Sequence, residues 1–326
     1  MYFPFAEVHV KGWVLPLLGF TAGVSSGFWG VGGGWVITPA LFILGFPMNL
    51  AVGTSLSFIY AQAIVSSLTH KKLGNINVPL GLLLFIGMLP SVELGARVVD
   101  FLKNRGEVDT YLGYFYFFFL LLIFAFTFFE SFKAQKKQSE EAVISWKEKF
   151  PLSLLPPFLS CRGMKVSIWS GVLVGILGGF FSGLMGIGGG IIFLPLMIYL
   201  LGLPTKMAVG TGLFNIMVGG AFGTFTHALK GNVDVLGGLL LLAGGGIGAR
   251  IGALATKYAP GTKIRFLFSL SVGATAISVI LRLKGYFLPA FLIILGVAGV
   301  MCAIVIFYLW RGNYEEKMHK MGKRGA

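Results

Sequence analysis

The sequence predicts an all-α integral membrane protein. The predicted fold has two inverted-topology repeats, each with a Gly-broken helical hairpin plus three long helices, and one extra C-terminal helix after the second repeat. Three observations predict this class. The chain is 56% hydrophobic and 12% charged, whereas soluble domains carry about 25% charged residues. Apolar runs near the length of about 20 residues that crosses a bilayer recur along all 326 residues. The first half of the chain also recurs in the second.

The repeat is visible as a long match between the two halves. Residues 26–58, SGFWGVGGGWVITPALFILGFPMNLAVGTSLSF, correspond to residues 182–215, SGLMGIGGGIIFLPLMIYLLGLPTKMAVGTGLFN, with one inserted residue. The match continues in three further pairs, which are His70 with His227, Gly74-Asn75 with Gly231-Asn232, and LGARV (94–98) with IGARI (247–251).

The apolar runs divide the chain into two membrane regions with a polar linker between them. The predicted segments are 13–31, 35–46, 49–69, 78–102, 111–131, 168–187, 190–202, 205–229, 234–258, 263–283 and an unmatched 287–310. We therefore predict a first membrane repeat over 1–132, a linker over 133–166, a second repeat with the extra helix over 167–310, and a tail over 311–326. The linker and the tail are rich in Lys and Arg, which is typical of cytoplasmic loops.

The segments after the triple glycines are too short to cross a bilayer. Twelve or thirteen helical residues rise about 18 to 20 Å, against a hydrocarbon core of about 30 Å. If the linker and the tail are both cytoplasmic, an even number of crossings separates them, so residues 168–202 must enter and leave on one side. The same scheme gives the first half an odd number of membrane crossings. The two halves are then expected to be inserted upside down relative to each other.

The triple glycines interrupt these hairpins. Glycine costs about 1 kcal/mol relative to Ala inside a helix, and open backbone at membrane depth survives only inside protein or beside a watery cavity. In the first half, Thr38-Pro39 is interpreted as the N-cap and first residue of a half-helix. The free amides of such an end attract anions. The alternative is close packing, the usual role of small residues in membrane helices.

The duplicated GxGGGxxxxP segment, followed by GxP and AVGTxL, resembles the TauE/SafE sulfite exporter family, also called TSUP. The resemblance covers nearly the whole chain outside the linker and the last helix. It implies a small prokaryotic permease whose substrate is sulfite or an organosulfonate such as sulfoacetate.

Candidate substrate-binding residues follow from their place in the two repeats. Hydroxyls after each short segment can reach a sulfonate oxygen, or they can bond to their own helix four residues back. A guanidinium suits an oxyanion because it donates two parallel hydrogen bonds, but near a helix end it can also extend to lipid headgroups. The candidates are Gly32, Gly33, Gly34, Thr38, Thr54, Ser55, Gly188, Gly189, Gly190, Thr211, Asn215 and Arg250.

Gating or secondary roles are expected for five further residues. Arg97 is placed in the position that matches Arg250, with Glu93 four residues before it as an ion-pair partner. Gln62 is expected to bond between helices. His70 and His227 either couple transport to protons or cap and anchor helix ends.

These features favour a secondary transporter of a small anion in the cell membrane of a prokaryote, working by alternating access around a midplane site. A transporter of another small organic anion and a passive anion channel stay open as alternatives. No metal cluster or HExxH motif is present, so we expect no enzymatic activity, no cofactor and no metal. The Walker A P-loop that a primary pump needs is also absent. The expected partners are membrane lipid and a coupling ion, either a proton or sodium. The net charge of +14 is attributed to topology rather than to nucleic-acid binding.

Overall fold

The computed structural model describes residues 1–136, 155–161, 164–258 and 261–322. This part of the chain contains eleven helices and two short two-stranded hairpins, which confirms the predicted all-α membrane class. Eight of these helices are long and apolar enough to cross a membrane.

The helices follow the predicted segments in order. Those of the first half are α1 (Val14–Trp29), α2 (Gly34–Ile43), α3 (Met48–Lys72), α4 (Val78–Asn104) and α5 (Val108–Lys136). Those of the second half are α6 (Ile168–Met185), α7 (Gly190–Tyr199), α8 (Thr205–Leu229), α9 (Val235–Ala255), α10 (Gly261–Leu283) and α11 (Phe287–Gly322). The strands are β1 (Tyr2–Phe3) paired with β2 (Val8–His9), and β3 (Phe158–Cys161) paired with β4 (Met164–Ser167), both antiparallel.

Two predicted boundaries differ from the observed elements. The predicted tail begins at residue 311, but α11 continues as a helix to Gly322, and residues 323–326 lie outside the described residues. Residues 137–154 and 162–163 of the predicted linker also lie outside them; the described remainder of 133–166 holds the end of α5 and most of the β3–β4 hairpin.

Equivalent long helices begin with equivalent caps. The Asn77 carboxamide accepts a hydrogen bond from the Leu80 N–H at 3.2 Å before α4, and the Asp234 carboxylate accepts one from the Gly237 N–H at 2.7 Å before α9. Each side chain bonds one of the amides that the first turn leaves without a partner. The repeat in sequence is therefore also a repeat in local structure.

Helices α3 and α8 form the centre of the molecule. Within their apolar windows, 72% and 61% of residues are buried, against 33% in both α5 and α11, which lie at the periphery. The two central helices run antiparallel, because Leu56 packs on Gly223 while the preceding Gly53 packs on His227. Helices α5 and α10 are also antiparallel, with Leu283 at Gly113 and Phe124 at Gly273.

The remaining long helices pack through glycine on the opposite half. In α1, Gly19, Gly23 and Gly27 face the backbone carbonyls of α9 at Leu241, Gly245 and Ala249. The corresponding Gly175, Gly179 and Gly183 of α6 face the carbonyls of α4 at Leu84, Met88 and Val92. Small residues permit this close approach of backbones. The contacts of one half thus recur, residue by residue, in the other.

Candidate functional site

Each half contains a break between its first two helices, formed by residues 30–33 and 186–189. Helix α1 ends at Trp29, and its cap Gly30 has φ 74°, followed by Gly32 at 86° and Gly33 at 74°. In the second half the matching values are 69°, 68° and 74° at Gly186, Gly188 and Gly189. This left-handed region is costly for residues with a side chain. The glycines thus shape both breaks, as the sequence predicted.

The chain reverses at each break. A Cβ on Gly33 would lie 2.9 Å from the carbonyl oxygen of Ala22 on α1. In the second half Gly189 packs in the same way on the Gly178 carbonyl of α6, at 2.5 Å. The start of each short helix therefore returns alongside the helix that precedes it, which makes each pair a hairpin.

The two breaks are in direct contact between α3 and α8. Gly34 packs against the carbonyl of Gly186 and lies 2.7 Å, measured from an added Cβ, from the Ile187 Cα. Gly190 packs reciprocally on the Val31 backbone. At their midpoint Gly32 and Gly188 face the same two side chains, Ile59 of α3 and Ile216 of α8, which would lie 2.9 to 3.2 Å from a Cβ added to either glycine.

Residues 30–41 and 186–195 are buried throughout. The breaks meet face to face rather than across an open space. The structure is therefore closed around the point where the two hairpins touch.

The predicted N-cap at Thr38 is wrong. Helix α2 begins at Gly34, since the Gly33 carbonyl already accepts hydrogen bonds from the N–H groups of Val36 and Ile37, both at 3.1 Å. Glycine at the cap permits this earlier start because it adopts the left-handed conformation. Pro39 therefore lies inside the helix, and the Thr38 hydroxyl donates to the Gly186 carbonyl at 3.3 Å.

The first amides of the short helices lack backbone acceptors among the described residues. In α7 the N–H groups of Ile192 and Phe193 bond to the Gly189 carbonyl at 3.0 and 2.9 Å, which leaves the N–H groups of Gly190 and Ile191. In α2 the N–H groups of Gly34 and Trp35 are left in the same way. Each break thus ends in a pair of amides at the positive end of a helix dipole.

The threonines of the two AVGT segments hold the opposite half. The Thr54 hydroxyl accepts from the Asp234 N–H at 2.8 Å, and the Thr211 hydroxyl accepts from the Asn77 N–H at 3.0 Å. Each bond joins a central helix to the cap of a helix from the other repeat. This differs from the own-helix bond that was one of the two expectations.

Ser55 and Asn215 have buried polar atoms without partners. The Ser55 hydroxyl and the Asn215 Oδ1 have no hydrogen bond, while the Asn215 Nδ2 donates to the Thr211 carbonyl at 2.9 Å. Both residues are fully buried. Ser55 lies one turn after Val52, whose backbone packs on Gly186.

Gln62 bonds between helices, as expected, and it does so at the first break. Its Nε2 donates to the Ser26 hydroxyl at 2.7 Å and to the Gly32 carbonyl at 3.1 Å. The sequence prediction missed Ser26, although it opens the repeated segment. It also missed Tyr116, whose hydroxyl donates to the Gly34 carbonyl at 3.2 Å across from α5.

The two histidines reach the broken helices rather than the surface. His70 Nε2 lies 3.1 Å from the Gly27 carbonyl near the end of α1, and His227 Nε2 lies 2.8 Å from the equivalent Gly183 carbonyl in α6. Both rings are fully buried. An imidazole N–H thereby satisfies a carbonyl in the last turn before each break.

Arg97 and Arg250 do not occupy matching places, so that pairing was wrong. Gly95 packs on α6 at Phe180 and Leu184, and Gly252 packs on α1 at the two residues that correspond to them. The halves therefore align without a gap here, and Arg250 corresponds to Glu93. The shared letters GAR are one helical turn out of register.

The arginines lie away from the breaks. The Arg97 side chain is 70% exposed and pairs with Glu93 at 2.9 Å, which confirms the expected ion pair. Glu93 also pairs with Lys230 of α8 at 3.2 Å, a partner that the sequence prediction missed. Arg250 is exposed on α9. Thus the structure brings together Gly32–Gly34, Thr38, Gln62 and Gly188–Gly190, with Ser55 beside them, and leaves Arg250 on the outer surface.

Comparison with known proteins matches the chain to a family of membrane proteins. Residues 15–279 match the sequence profile described as "Sulfite exporter TauE/SafE". The chain is 31% identical over 248 residues to "Probable membrane transporter protein YunE" of Bacillus subtilis, covering 74% of this chain and 86% of the relative.

Two further relatives carry the same description. A probable membrane transporter protein of Methanocaldococcus jannaschii is 29% identical over 69% of this chain and 77% of its own length. One of Haemophilus influenzae is 28% identical over 82% of this chain and 97% of its own. No solved structure gives a significant match.

Proposed function

Because the chain belongs to the sulfite exporter TauE/SafE family, we propose that it is a secondary transporter for a small sulfur-containing anion such as sulfite or sulfoacetate. The chain is a multi-pass membrane transporter that handles a small substrate within the membrane. The family and the descriptions of its relatives indicate a transporter rather than an enzyme.

The contact between the two glycine breaks is the observation that carries the proposal. Broken helices at membrane depth occur where backbone is buried in protein or lines a cavity, and transporters place substrate sites at such breaks. Here the breaks lie between α3 and α8, the two most buried of the helices long enough to cross a membrane, with free amides at the start of α2 and α7. The substrate binds at this contact, between the halves.

An anionic substrate fits the donors around the breaks. Helix N-termini present N–H groups and positive partial charge. None of the described carboxylates is hydrogen-bonded to residues 30–34 or 186–190. Glu93 pairs with Arg97 and Lys230, Asp109 accepts from the Met48 N–H at 2.6 Å, and the buried Asp234 accepts from the Gly237 N–H at 2.7 Å.

The antiparallel pairing of equivalent helices supports an inverted repeat. Helices α3 and α8 correspond in sequence and run in opposite directions, as do α5 and α10. Spanning helices related in this way require a two-fold axis in the membrane plane. One half then rocks against the other around the site, opening it to each side in turn. A proton or sodium gradient drives the cycle, and the linker and tail lie in the cytoplasm.

Transport by purified protein in liposomes tests the proposal. We expect saturable uptake of radiolabelled sulfite or sulfoacetate, and we expect unlabelled substrate trapped inside to accelerate it. Counterflow of this kind separates a carrier from a channel, because a channel conducts without exchange. Liposomes without protein and an excess of acetate serve as controls. Uptake of none of a panel of sulfite, sulfate, thiosulfate, sulfoacetate and taurine would contradict the sulfur-anion assignment.

A further inference from the structure

The two breaks differ in one buried side chain. In the first half Gln62 of α3 bonds both the Ser26 hydroxyl and the Gly32 carbonyl, so these two groups have a partner within the protein. The reciprocal contacts of α3 and α8 make Gly219 the equivalent of Gln62. Glycine has no side chain to make these bonds. The symmetry of the repeat is therefore broken at its centre.

The second break is left with unsatisfied polar groups. Ser182, the equivalent of Ser26, is fully buried and its hydroxyl has no hydrogen-bond partner. The Gly188 carbonyl, equivalent to that of Gly32, receives no side-chain donor among the described residues. Burying such a group without a partner costs about 1 to 3 kcal/mol.

The space that a side chain at 219 would fill is occupied by Met88 of α4. A Cβ on Gly219 would lie 2.7 Å from the Met88 Cε and 2.8 Å from its sulfur. Methionine is unbranched and rotates about three bonds, which suits it to fill irregular space. The end of this side chain can therefore move aside with little rearrangement of the backbone.

Ser182 lies beside the start of α7. It is one turn after Gly178, whose carbonyl contacts the N-cap Gly189, and its own carbonyl accepts the Gly186 N–H at 2.9 Å. In the first half the corresponding Ser26 Cβ is 3.4 Å from a Cβ placed on Gly33. The unpartnered hydroxyl and the free amides of Gly190 and Ile191 thus belong to one small region.

A second unpartnered hydroxyl belongs to the same break. Ser55 corresponds to Gly212, and a Cβ on Gly212 would lie 3.3 Å from the Gly30 carbonyl at the first break. Ser55 occupies the equivalent place toward Gly186, and its hydroxyl is fully buried without a partner. Two unpartnered hydroxyls therefore lie at the second break, Ser182 beside the start of α7 and Ser55 toward Gly186. At the first break the equivalent positions hold Ser26, which is bonded to Gln62, and Gly212.

We propose that the oxyanion group of the substrate binds at the second break, to Ser182, Ser55 and the first amides of α7, in the space that the end of Met88 fills. The first break, bonded by Gln62, is the fixed anchor. This inference rests on the proposed function and deepens it, because it assigns the two halves different roles. Several donors around one group suit a sulfite or sulfonate, whose three oxygens each accept hydrogen bonds.

The equivalent serines provide a matched test. We expect Ser182→Ala to melt at or above the wild-type temperature, because it removes an unsatisfied hydroxyl, while the Kd for sulfite or sulfoacetate rises at least tenfold. Ser26→Ala should melt lower, since it breaks a bond of Gln62, and should keep the wild-type Kd. Melting is followed in detergent and binding by calorimetry. An unchanged Kd in Ser182→Ala, or a drop in its melting temperature equal to that of Ser26→Ala, overturns the proposal.

Cysteine modification tests the same subsite without assuming the substrate. Ser182→Cys and Ser26→Cys are made in a background lacking Cys161 and Cys302, and each is treated with 2-sulfonatoethyl methanethiosulfonate. The thiolate attacks the thiosulfonate sulfur, forms the mixed disulfide and releases methanesulfinate. We expect Ser182→Cys to react at least ten times faster than Ser26→Cys, followed by intact-protein mass. The 2-trimethylammonioethyl reagent should show a smaller ratio between the two positions.

The outcomes separate the two proposals. Fast sulfonate labelling of Ser182→Cys without uptake of any anion in the panel would leave the subsite standing and remove the transport substrate. Uptake with equal labelling of both cysteines and an unchanged Kd in Ser182→Ala would leave the transporter standing and remove the subsite.

Discussion

At the scale of single residues, glycine has two separate uses at the breaks. Gly30, Gly32 and Gly33 have positive φ, so any other residue there would strain the backbone. Gly34 does not have positive φ; it is small because the backbone of the second break lies against it. Side chains of α3 then bond polar groups at the end of α1: Gln62 bonds the Ser26 hydroxyl, and His70 bonds the Gly27 carbonyl.

The Gln62 bonds predict a measurable loss of stability. We expect Gln62→Leu to lower the free energy of unfolding by about 1 to 3 kcal/mol, because a buried hydroxyl and a buried carbonyl lose their donor. Thermal melting in detergent measures this as a lower transition temperature. Ser67→Ala on the same helix is the control, since the Ser67 hydroxyl is buried without a partner and its removal should cost nothing. Identical melting of Gln62→Leu and wild type would show that these bonds do not stabilise the break.

At the scale of elements, the short helices are placed by contacts across the two halves. Helix α2 starts against Gly186 and α7 starts against Val31, so the start of each short helix packs on the break of the other hairpin. The hairpins are held on their outer sides by α1 packed on α9 and α6 packed on α4 through rows of glycine. An isolated ten-residue helix is marginal in water. These short helices owe their position to the reciprocal contact.

This contact predicts that Gly34 tolerates no side chain. In Gly34→Ala the new methyl group meets backbone atoms of the second break, which cannot rotate away as a side chain can. We expect a cost of about 1 to 3 kcal/mol, typical of overpacking, and loss of uptake in liposomes. Gly299→Ala in α11, where nothing lies within 4 Å of the added atom, should be neutral or stabilising. Equal stability of the two variants would mean that the breaks are not pressed together.

At the scale of the whole molecule, two copies of one unit enclose a centre made from both. The central helices α3 and α8 carry the isoleucines that cover the midpoint of the breaks, and their antiparallel course relates one half to the other. The threonines of each AVGT segment bond the cap of a helix in the opposite half. Neither repeat therefore contains a complete site.

Inverted topology predicts opposite accessibility of equivalent positions. Val78 and Val235 start the equivalent helices α4 and α9, and both side chains are exposed. In a background without Cys161 and Cys302, we expect Val78→Cys and Val235→Cys to react with a membrane-impermeant maleimide from opposite sides. Labelling in intact cells and in inside-out vesicles, scored by gel shift, makes the comparison. Modification of both positions from the same side would contradict an inverted repeat.

The sequence by itself determined the membrane class, the duplication, the order and approximate bounds of the helices, and the position of both breaks. These follow from composition, apolar length and the backbone cost of consecutive glycines, all of which are local properties. The repeat also identified the family. Predictions that needed only neighbouring residues, such as the Glu93–Arg97 pair, are confirmed.

Only the tertiary structure decided what the breaks touch. The meeting of Gly34 with Gly186 joins residues about 150 positions apart. The register that makes Arg250 the equivalent of Glu93 is visible only in the packing of Gly95 on α6 and of Gly252 on α1. Sequence spacing does not report such contacts. The same three residues, GAR, stand in both halves, but they are one helical turn apart in the structural alignment of the repeats. The unequal bonding of Ser26 and Ser182 is likewise visible only where Gln62 reaches from one helix into the break of another.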